Sequence, residues 1–366
     1  MNKVLVVACN NLGTGGVQNV IMSIVRGLNN SCQFDAIVFD HDYIEYEEEF
    51  LKQGEIYTLG LFPKNRSFRS RLDFYIRPLY LYTNFLKIMK EKGPYDIVHC
   101  HNYYEEALAL KAAYKCRIPI RIAHNHTLIP VSKKNVLRKI YNYIYRKMIN
   151  KYATSLVACS KSSGLSFYGS NDRQLMIENA VDSKVFNYVS GDNIDPWSFL
   201  HIGRWGGPKN QLFLLDVFSE LCKYNSNSVL SLVGYGDENE LKRINEKAKE
   251  LGVIDRIRFY PSNSNISALM QTNNIFIFPS LFEGLGIVLI EAQSTGMKCF
   301  ASTAVPVDSN LGLVDYISLD SGPFEWALRI SKYINEYGSL RKKVNLNGFD
   351  IENNINKYRQ LYKLGD

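Results

Sequence analysis

Short apolar runs alternate with amphipathic stretches from the start of the chain. Residues 4–9 are an unbroken apolar run, the signature of a buried strand. A Gly-rich turn follows. The next stretch, 17–29, has apolar residues at 17, 20, 21, 24, 25 and 28, the spacing of a helix with one buried face. Residues 34–39, 97–100, 120–123 and 155–159 repeat the strand pattern, and 104–114 and 133–152 repeat the helical one. Strands alternating with helices predict a parallel, doubly wound sheet.

The pattern then restarts. Residues 197–202 read as a strand before a Gly/Pro turn, and 210–224 as a helix. Strands at 229–233, 257–260 and 275–278 alternate with helices at 238–251, 266–271 and 287–295. This is a second βα domain of similar size, with no sequence repeat between the halves. The boundary is expected in the polar stretch 182–196, which carries Gly191 and Pro196. The tail, 325–364, is expected to be mostly helical.

A length of 366 residues suits two such domains, and 46% apolar with 22% charged residues is a folded, globular composition. No apolar run reaches the roughly 18 residues of a membrane span. Residues 4–9 are too short for a signal peptide core. The seven cysteines are scattered, with no CxxC or zinc spacing, so a reduced, cytoplasmic protein is expected. Charge is uneven. Residues 1–182 hold 24 Lys and Arg against 16 Asp and Glu, a balance of +8. Residues 183–366 hold 19 against 20, a balance of −1. Fifteen of the 24 tyrosines are in the first half too.

Several segments at predicted strand ends can carry chemistry. Gly13-Thr14-Gly15-Gly16 follows the first strand, and glycines there let a backbone approach a phosphate at a helix N-terminus. Gln18 stands where the dinucleotide fingerprint wants a third glycine, so a ligand loop and a plain tight turn both remain open. The loop Gly203-Arg204-Trp205-Gly206-Gly207-Pro208-Lys209-Asn210 offers two cations suited to a diphosphate, or a solvated surface. In 282–292, Glu283 sits in a Gly-rich loop and Glu291 inside an apolar helix, where a carboxylate is costly without a partner. A ribose diol would supply two donors, and the 284–286 amides would crown the helix N-terminus. A buried pair with a core Arg or Lys is the alternative. His99 and His101, then His124 and His126, cluster after two strands. Four histidines raise the question of zinc. No carboxylate or cysteine stands at supporting spacing, so a cleft is expected and a metal is not. Asp40-His41-Asp42 reads as a solvated acidic loop rather than a metal–nucleotide chelate.

Together these segments resemble the retaining glycosyltransferases of family GT4, over nearly the whole chain. TGGVQ at 14–18 looks like the family's Gly-Gly loop, and VHCHN and RIAHNH like its His-bearing strand ends. ENAVDSKVF at 178–186 resembles the linker motif, with Ala180 where the family has Gly. HIGRWGGPKNQ at 201–211 matches the GR…KN segment, and LVGYGDENEL lacks the usual Pro. FEGLGIVLIEAQSTGMKC at 282–299 matches the E-x7-E signature, the most specific of these motifs.

The resemblance implies an α/β GT-B fold, two Rossmann-like doubly wound domains facing each other across a cleft. It implies an acceptor-side domain over 1–182, a nucleotide-sugar domain over 183–345 and a final helix, 346–366, crossing back to the first domain. Arg204 and Lys209 would hold the donor diphosphate and Glu291 the ribose. Glu283 would contact the sugar hydroxyls, Gly284, Leu285 and Gly286 the phosphates, and Tyr260 the base. His124, with His126 as alternate, would lie near the donor sugar, and Gly15 and Gly16 would close on the phosphates. The implied reaction is retaining, metal-independent sugar transfer, with a UDP-sugar favoured as donor. The implied acceptor is lipid-linked or an oligosaccharide, in cell-surface polysaccharide synthesis. No cofactor or metal is expected, nor a nucleic-acid partner.

The excess positive charge lies in 64–77 and 133–151. The second is a basic helical stretch interleaved with aromatics, fit either for an anionic membrane face or for a domain core with solvated cations. Peripheral association with the inner face of the cell membrane, near a polyprenyl-diphosphate acceptor, is the expectation. Two rival activities share parts of this pattern. A nucleotide-sugar epimerase would use the same donor pocket without an acceptor. An NAD-dependent oxidoreductase fails on Gln18 and leaves Glu283 and Glu291 without a role.

Overall fold

A computed structural model of the chain describes residues 1–8, 12–13, 16–39, 46–60, 71–101, 103–126, 136–170 and 172–364. Thr14, Gly15, Asp40, His41, Asp42, Lys64, Arg66, Arg69, Lys133 and Lys134 lie outside the described residues. The chain divides into two compact units, Met1–Asn179 with Ile351–Asp366, and Ala180–Asp350.

The first unit holds strands β1 (Asn2–Ala8), β2 (Cys32–Val38), β3 (Ile56–Thr58), β4 (Ile97–His101), β5 (Ile120–Asn125), β6 (Ser155–Ala158) and β7 (Gln174–Met176). They form one parallel sheet in the order β3-β2-β1-β4-β5-β6-β7. Successive side chains of a strand point to opposite faces, and β1 feeds two cores. Leu5 and Val7 pack with helices α3 (Arg71–Glu91), α4 (Glu106–Lys115) and α5 (Val136–Tyr152). Val4, Val6 and Ala8 pack on the other face with α1 (Gly16–Leu28), α2 (Glu47–Phe50) and α12 (Ile351–Leu361). Helix α6 (Lys161–Tyr168) precedes β7. A sheet buried on both faces needs the near-continuous apolar strands seen in the sequence. Helix α12 lies close on α1, because a Cβ at Gly27 would run into Ile355.

The second unit holds β8 (Ser198–Ile202), β9 (Val229–Gly234), β10 (Ile257–Pro261), β11 (Ile275–Phe278), β12 (Lys298–Ser302) and β13 (Val314–Ile317). The sheet is parallel, in the order β10-β9-β8-β11-β12-β13. Phe199, Leu230, Leu232, Ile275 and Ile277 pack with α7 (Gln211–Tyr224), α8 (Glu238–Glu250) and α11 (Gly322–Tyr337). Leu200, Val233, Phe276 and Phe278 pack on the other face with α9 (Ile266–Thr272) and α10 (Ile287–Ser294).

The tail is mostly helical, as expected, but in two pieces: α11 ends at Tyr337, and residues 338–350 separate it from α12. Residues 71–91 form a long helix that the pattern did not announce, because Pro78 sits within it. Strands β3, β7, β12 and β13 are three to five residues each and were also unannounced.

Candidate active site

In an open parallel sheet, ligands bind beyond the strand C-termini where the strand order reverses. In the second unit that point lies between β8 and β11. The loops leaving these two strands carry Arg204, Lys209 and Glu283, and they are tied together. The Leu281 N–H donates to the Pro208 carbonyl at 2.7 Å, and Asn210 Nδ2 donates to the Pro279 carbonyl at 3.1 Å. Lys209 Nζ donates to Glu283 Oε1 at 2.7 Å. The Lys209 ammonium also lies 4.6 Å from the centroid of the Phe278 ring. Gly203 permits this course, since a Cβ there would press on Lys209 Cγ at 2.8 Å. Gln211 staples the loop: its Oε1 accepts from the Gly206 N–H at 3.1 Å, and its Nε2 donates to the Arg204 carbonyl at 2.9 Å. The Arg204 side chain is exposed and runs beside Gly236.

Gly284, Leu285 and Gly286 lead into α10. Leu285 is buried against Val181 and Ile290, which fixes the loop. Gly286 is left-handed (φ 77°, ψ 55°), a conformation that favours glycine, and it leaves the first-turn N–H groups of α10 at the loop. Glu291 is buried on α10 and makes no ion pair among the described residues. Burial pushes its carboxyl up to about 7, against the pull of the Lys209 ammonium. The buried Arg or Lys partner that the sequence left open is therefore not found among the described residues; Lys209 gives its bond to Glu283. Tyr260 is half-buried on β10, in register with Val233 of β9.

In the first unit the strand order reverses between β1 and β4. Ala8, His101, His124 and Val157 stand level across β1, β4, β5 and β6. Gly16 opens α1 beyond the same strand ends. The four histidines of β4 and the β5 end are buried and bonded in two files. Tyr362 Oη lies 2.8 Å from His99 Nδ1, and His99 Nε2 lies 3.2 Å from His124 Nδ1. His101 Nδ1 lies 2.9 Å from His126 Nε2, and His126 Nδ1 lies 2.9 Å from Asn179 Oδ1. His101 Nε2 and His124 Nε2 have no hydrogen-bond partner among the described residues. Burial, the larger cause, holds His99 at about 3 and His126 at about 4. Burial and the neighbouring histidines hold His101 and His124 well below the ordinary imidazole value. All four rings are therefore neutral near pH 7. His99, His101 and His124 offer ring nitrogens within 4.8 Å of one another, a spacing a metal ion can use. Of these nitrogens, His99 Nε2 and His124 Nδ1 bond one another, whereas His101 Nε2 and His124 Nε2 stay unbonded among the described residues.

Five residues were missed by sequence reasoning. Asn210 and Gln211 sit in the KN(Q) segment, but their work is local stapling that no spacing rule announces. His201 Nδ1–H donates to the Ile277 carbonyl at 2.9 Å, and burial lowers this ring to about 4. Ser280 Oγ is buried without a partner among the described residues. Tyr362 joins the histidines from far along the chain, and no local signal could have found it.

The chain is thus an α/β protein of two doubly wound units, with paired cationic and acidic loops at one reversal point and clustered imidazoles at the other. Residues 14–183 match the family model described as Glycosyltransferase Family 4, and residues 188–309 match the one described as Glycosyl transferases group 1. The chain belongs to this family and is a glycosyltransferase. It is 26% identical to a putative glycosyltransferase, EpsF, of Bacillus subtilis, over 96% of this chain and 94% of that one. It is also 26% identical to a capsular polysaccharide biosynthesis glycosyltransferase, CapH, of Staphylococcus aureus, over 96% of each chain. A UDP-Gal:alpha-D-GlcNAc-diphosphoundecaprenol alpha-1,3-galactosyltransferase of Escherichia coli is 25% identical over 75% of this chain and 77% of that one. The solved structure of Anabaena HepE with UDP and glucose superposes with a TM-score of 0.72, at 16% identity, over 98% of this chain and 95% of that one. That likeness shows a shared fold, GT-B.

Proposed function

We propose that the chain transfers a sugar, with retention of anomeric configuration and without a metal, from a UDP-sugar to a lipid-linked or oligosaccharide acceptor. The product belongs to a cell-surface polysaccharide. The observation that carries this reading is the Lys209–Glu283 pair set beside the buried, unpaired Glu291 at one sheet reversal point. The related capsular and undecaprenol-linked enzymes support the acceptor class, and the UDP complex of a fold relative supports the nucleotide.

Lys209, Arg204 and the α10 amides after Gly284, Leu285 and Gly286 hold the diphosphate. As the bond from the sugar C1 to the β-phosphate oxygen breaks, these groups neutralise the charge that collects on the leaving group. Glu291, held poor in partners, accepts from the ribose diol. Glu283 takes a sugar hydroxyl while its other oxygen stays with Lys209. Tyr260 marks the base. The acceptor oxygen attacks C1 from the face the diphosphate leaves. The acceptor proton passes to a diphosphate oxygen, which accounts for retention without an enzyme nucleophile. Of the two histidine candidates His124 is favoured for the donor sugar, because its Nε2 has no partner among the described residues, whereas both nitrogens of His126 are engaged.

The protein works at the cytoplasmic face of the membrane in this reading. No helix among the described residues is long and apolar enough to cross a membrane. Helix α5 packs Tyr145 and Ile149 into the core while Ile140, Tyr143 and Ile144 stay exposed. Exposed Arg138, Lys139 and Lys147 flank them, with Lys147 Nζ 4.8 Å from the centroid of the Tyr143 ring. The helix thus has a core stripe and a second, outward apolar patch ringed by cations, suited to an anionic lipid surface. A thermal-shift screen of nucleotide sugars, followed by product detection on a polyprenyl-diphosphate acceptor, tests the whole reading. Free UDP-sugar isomers without transfer would replace it with epimerisation.

A further inference from the structure

We propose that Tyr362 is a positioning residue that sets the tautomer of His124 through His99. The inference rests on the reading of His124 as the group that meets the donor sugar. It concerns which His124 nitrogen carries the proton.

Tyr362, His99 and His124 are buried to within 0% exposure. The phenol lies 2.8 Å from His99 Nδ1 and makes no other hydrogen bond among the described residues. His99 Nε2 lies 3.2 Å from His124 Nδ1, and the two ring planes are parallel to within 6° with centroids 5.3 Å apart. A neutral imidazole has one N–H and one lone pair. Either direction along the file leaves one hydrogen without a partner among the described residues, the phenol's or that on His124 Nε2, so the end bond decides: a phenol O–H is the stronger donor and an imidazole nitrogen the stronger acceptor. The Tyr362 O–H therefore donates to His99 Nδ1, and the His99 Nε2–H donates to His124 Nδ1. The His124 proton is left on Nε2, the nitrogen without a partner.

The second file runs the other way. The Asn179 amide oxygen accepts from the His126 Nδ1–H, and His126 Nε2 accepts from the His101 Nδ1–H. His101 is left with a bare lone pair on its unpartnered Nε2. His101 and His124 stand level on β4 and β5, with ring centroids 5.3 Å apart. The strand ends thus present one donor and one acceptor, the complement of a hydroxyl group, which both gives and takes a hydrogen bond. If the Tyr362 file were reversed, both nitrogens would be acceptors competing for one hydroxyl hydrogen.

The test is on the full-length chain with 15N-labelled histidine, assigned by single His→Gln substitutions. Ring nitrogen shifts distinguish Nδ1–H from Nε2–H directly and need no substrate. The expected wild-type spectrum has His124 protonated on Nε2 and His101 on Nδ1, each as one tautomer. Tyr362→Phe keeps the shape and removes the O–H. His124 should then split into mixed tautomers while His101 is unmoved, and turnover should fall roughly tenfold in a variant that remains folded. A wild-type His124 protonated on Nδ1, or a Tyr362→Phe spectrum with His124 unchanged, overturns the proposal. Full turnover in His124→Ala instead removes the catalytic reading of His124, and the ring spectrum still decides the relay.

Discussion

Lys209 and Glu283 meet at 2.7 Å across two loops that leave neighbouring strands, so one hydrogen bond couples the cation proposed to bind the diphosphate to the carboxylate proposed to face the sugar. Both side chains are largely buried, at 19% and 11% exposure. Removing the lysine takes away a charge for the leaving group and leaves Glu283 unpaired. Lys209→Ala should lower kcat/KM by about 10²- to 10³-fold. Lys223→Ala, which breaks an exposed pair with Glu220, should leave it unchanged. Steady-state rates on the two variants check this.

Glu291 should make the donor-free protein less stable as pH rises. Its folded pKa, about 7, lies above its ordinary value of 4.5, so the folded state binds the extra proton. Stability is full below about pH 4.5 and falls through pH 7, by roughly 3 kcal/mol in all. Glu291→Gln should remove that slope and raise the melting temperature at pH 8, while weakening donor binding. Melting curves from pH 5 to 8 with and without nucleotide sugar measure both effects. A variant that melts lower at pH 8 and binds donor normally would refute the assignment.

The histidine cluster titrates in the opposite sense. Burial depresses His99, His101, His124 and His126 in the folded state. Their contribution is present above the unfolded value near 6.5 and is lost as pH falls towards about 4. Unfolding near pH 5 should therefore take up several protons. Replacing His101 and His126 together with Gln should flatten this acid limb in denaturant titrations.

The outward patch on α5 predicts salt-sensitive binding to anionic vesicles and little to neutral ones. Ile144→Ser should reduce pelleting through lost apolar contact. Lys147→Gln should reduce it by about fivefold at low salt, the worth of one cation near an anionic surface. Co-sedimentation with equal pelleting on both vesicle types would count against a membrane face.

Much of this architecture was legible in the sequence because both sheets are buried on both faces. Runs such as 4–8 and 275–278 have to be apolar, and the loops that follow them have to sit at strand C-termini. The E-x7-E segment was legible for the same reason, since Glu291 contradicts the apolar helix around it. Short edge strands such as β3 and β7 carry too few residues for a period, and Pro78 masked α3. The link from Tyr362 to His99 spans 263 positions and follows from chain return, which no local pattern encodes.

The most direct test is calorimetric titration of UDP-sugars into the wild-type chain, Lys209→Ala and Glu291→Ala, with anomeric analysis of the product formed on a polyprenyl-diphosphate-linked glycan. At least one UDP-sugar should bind the wild type, bind both variants much more weakly, and yield a product with the donor's anomeric configuration. Wild-type binding and turnover in either variant, or an inverted product, would contradict it.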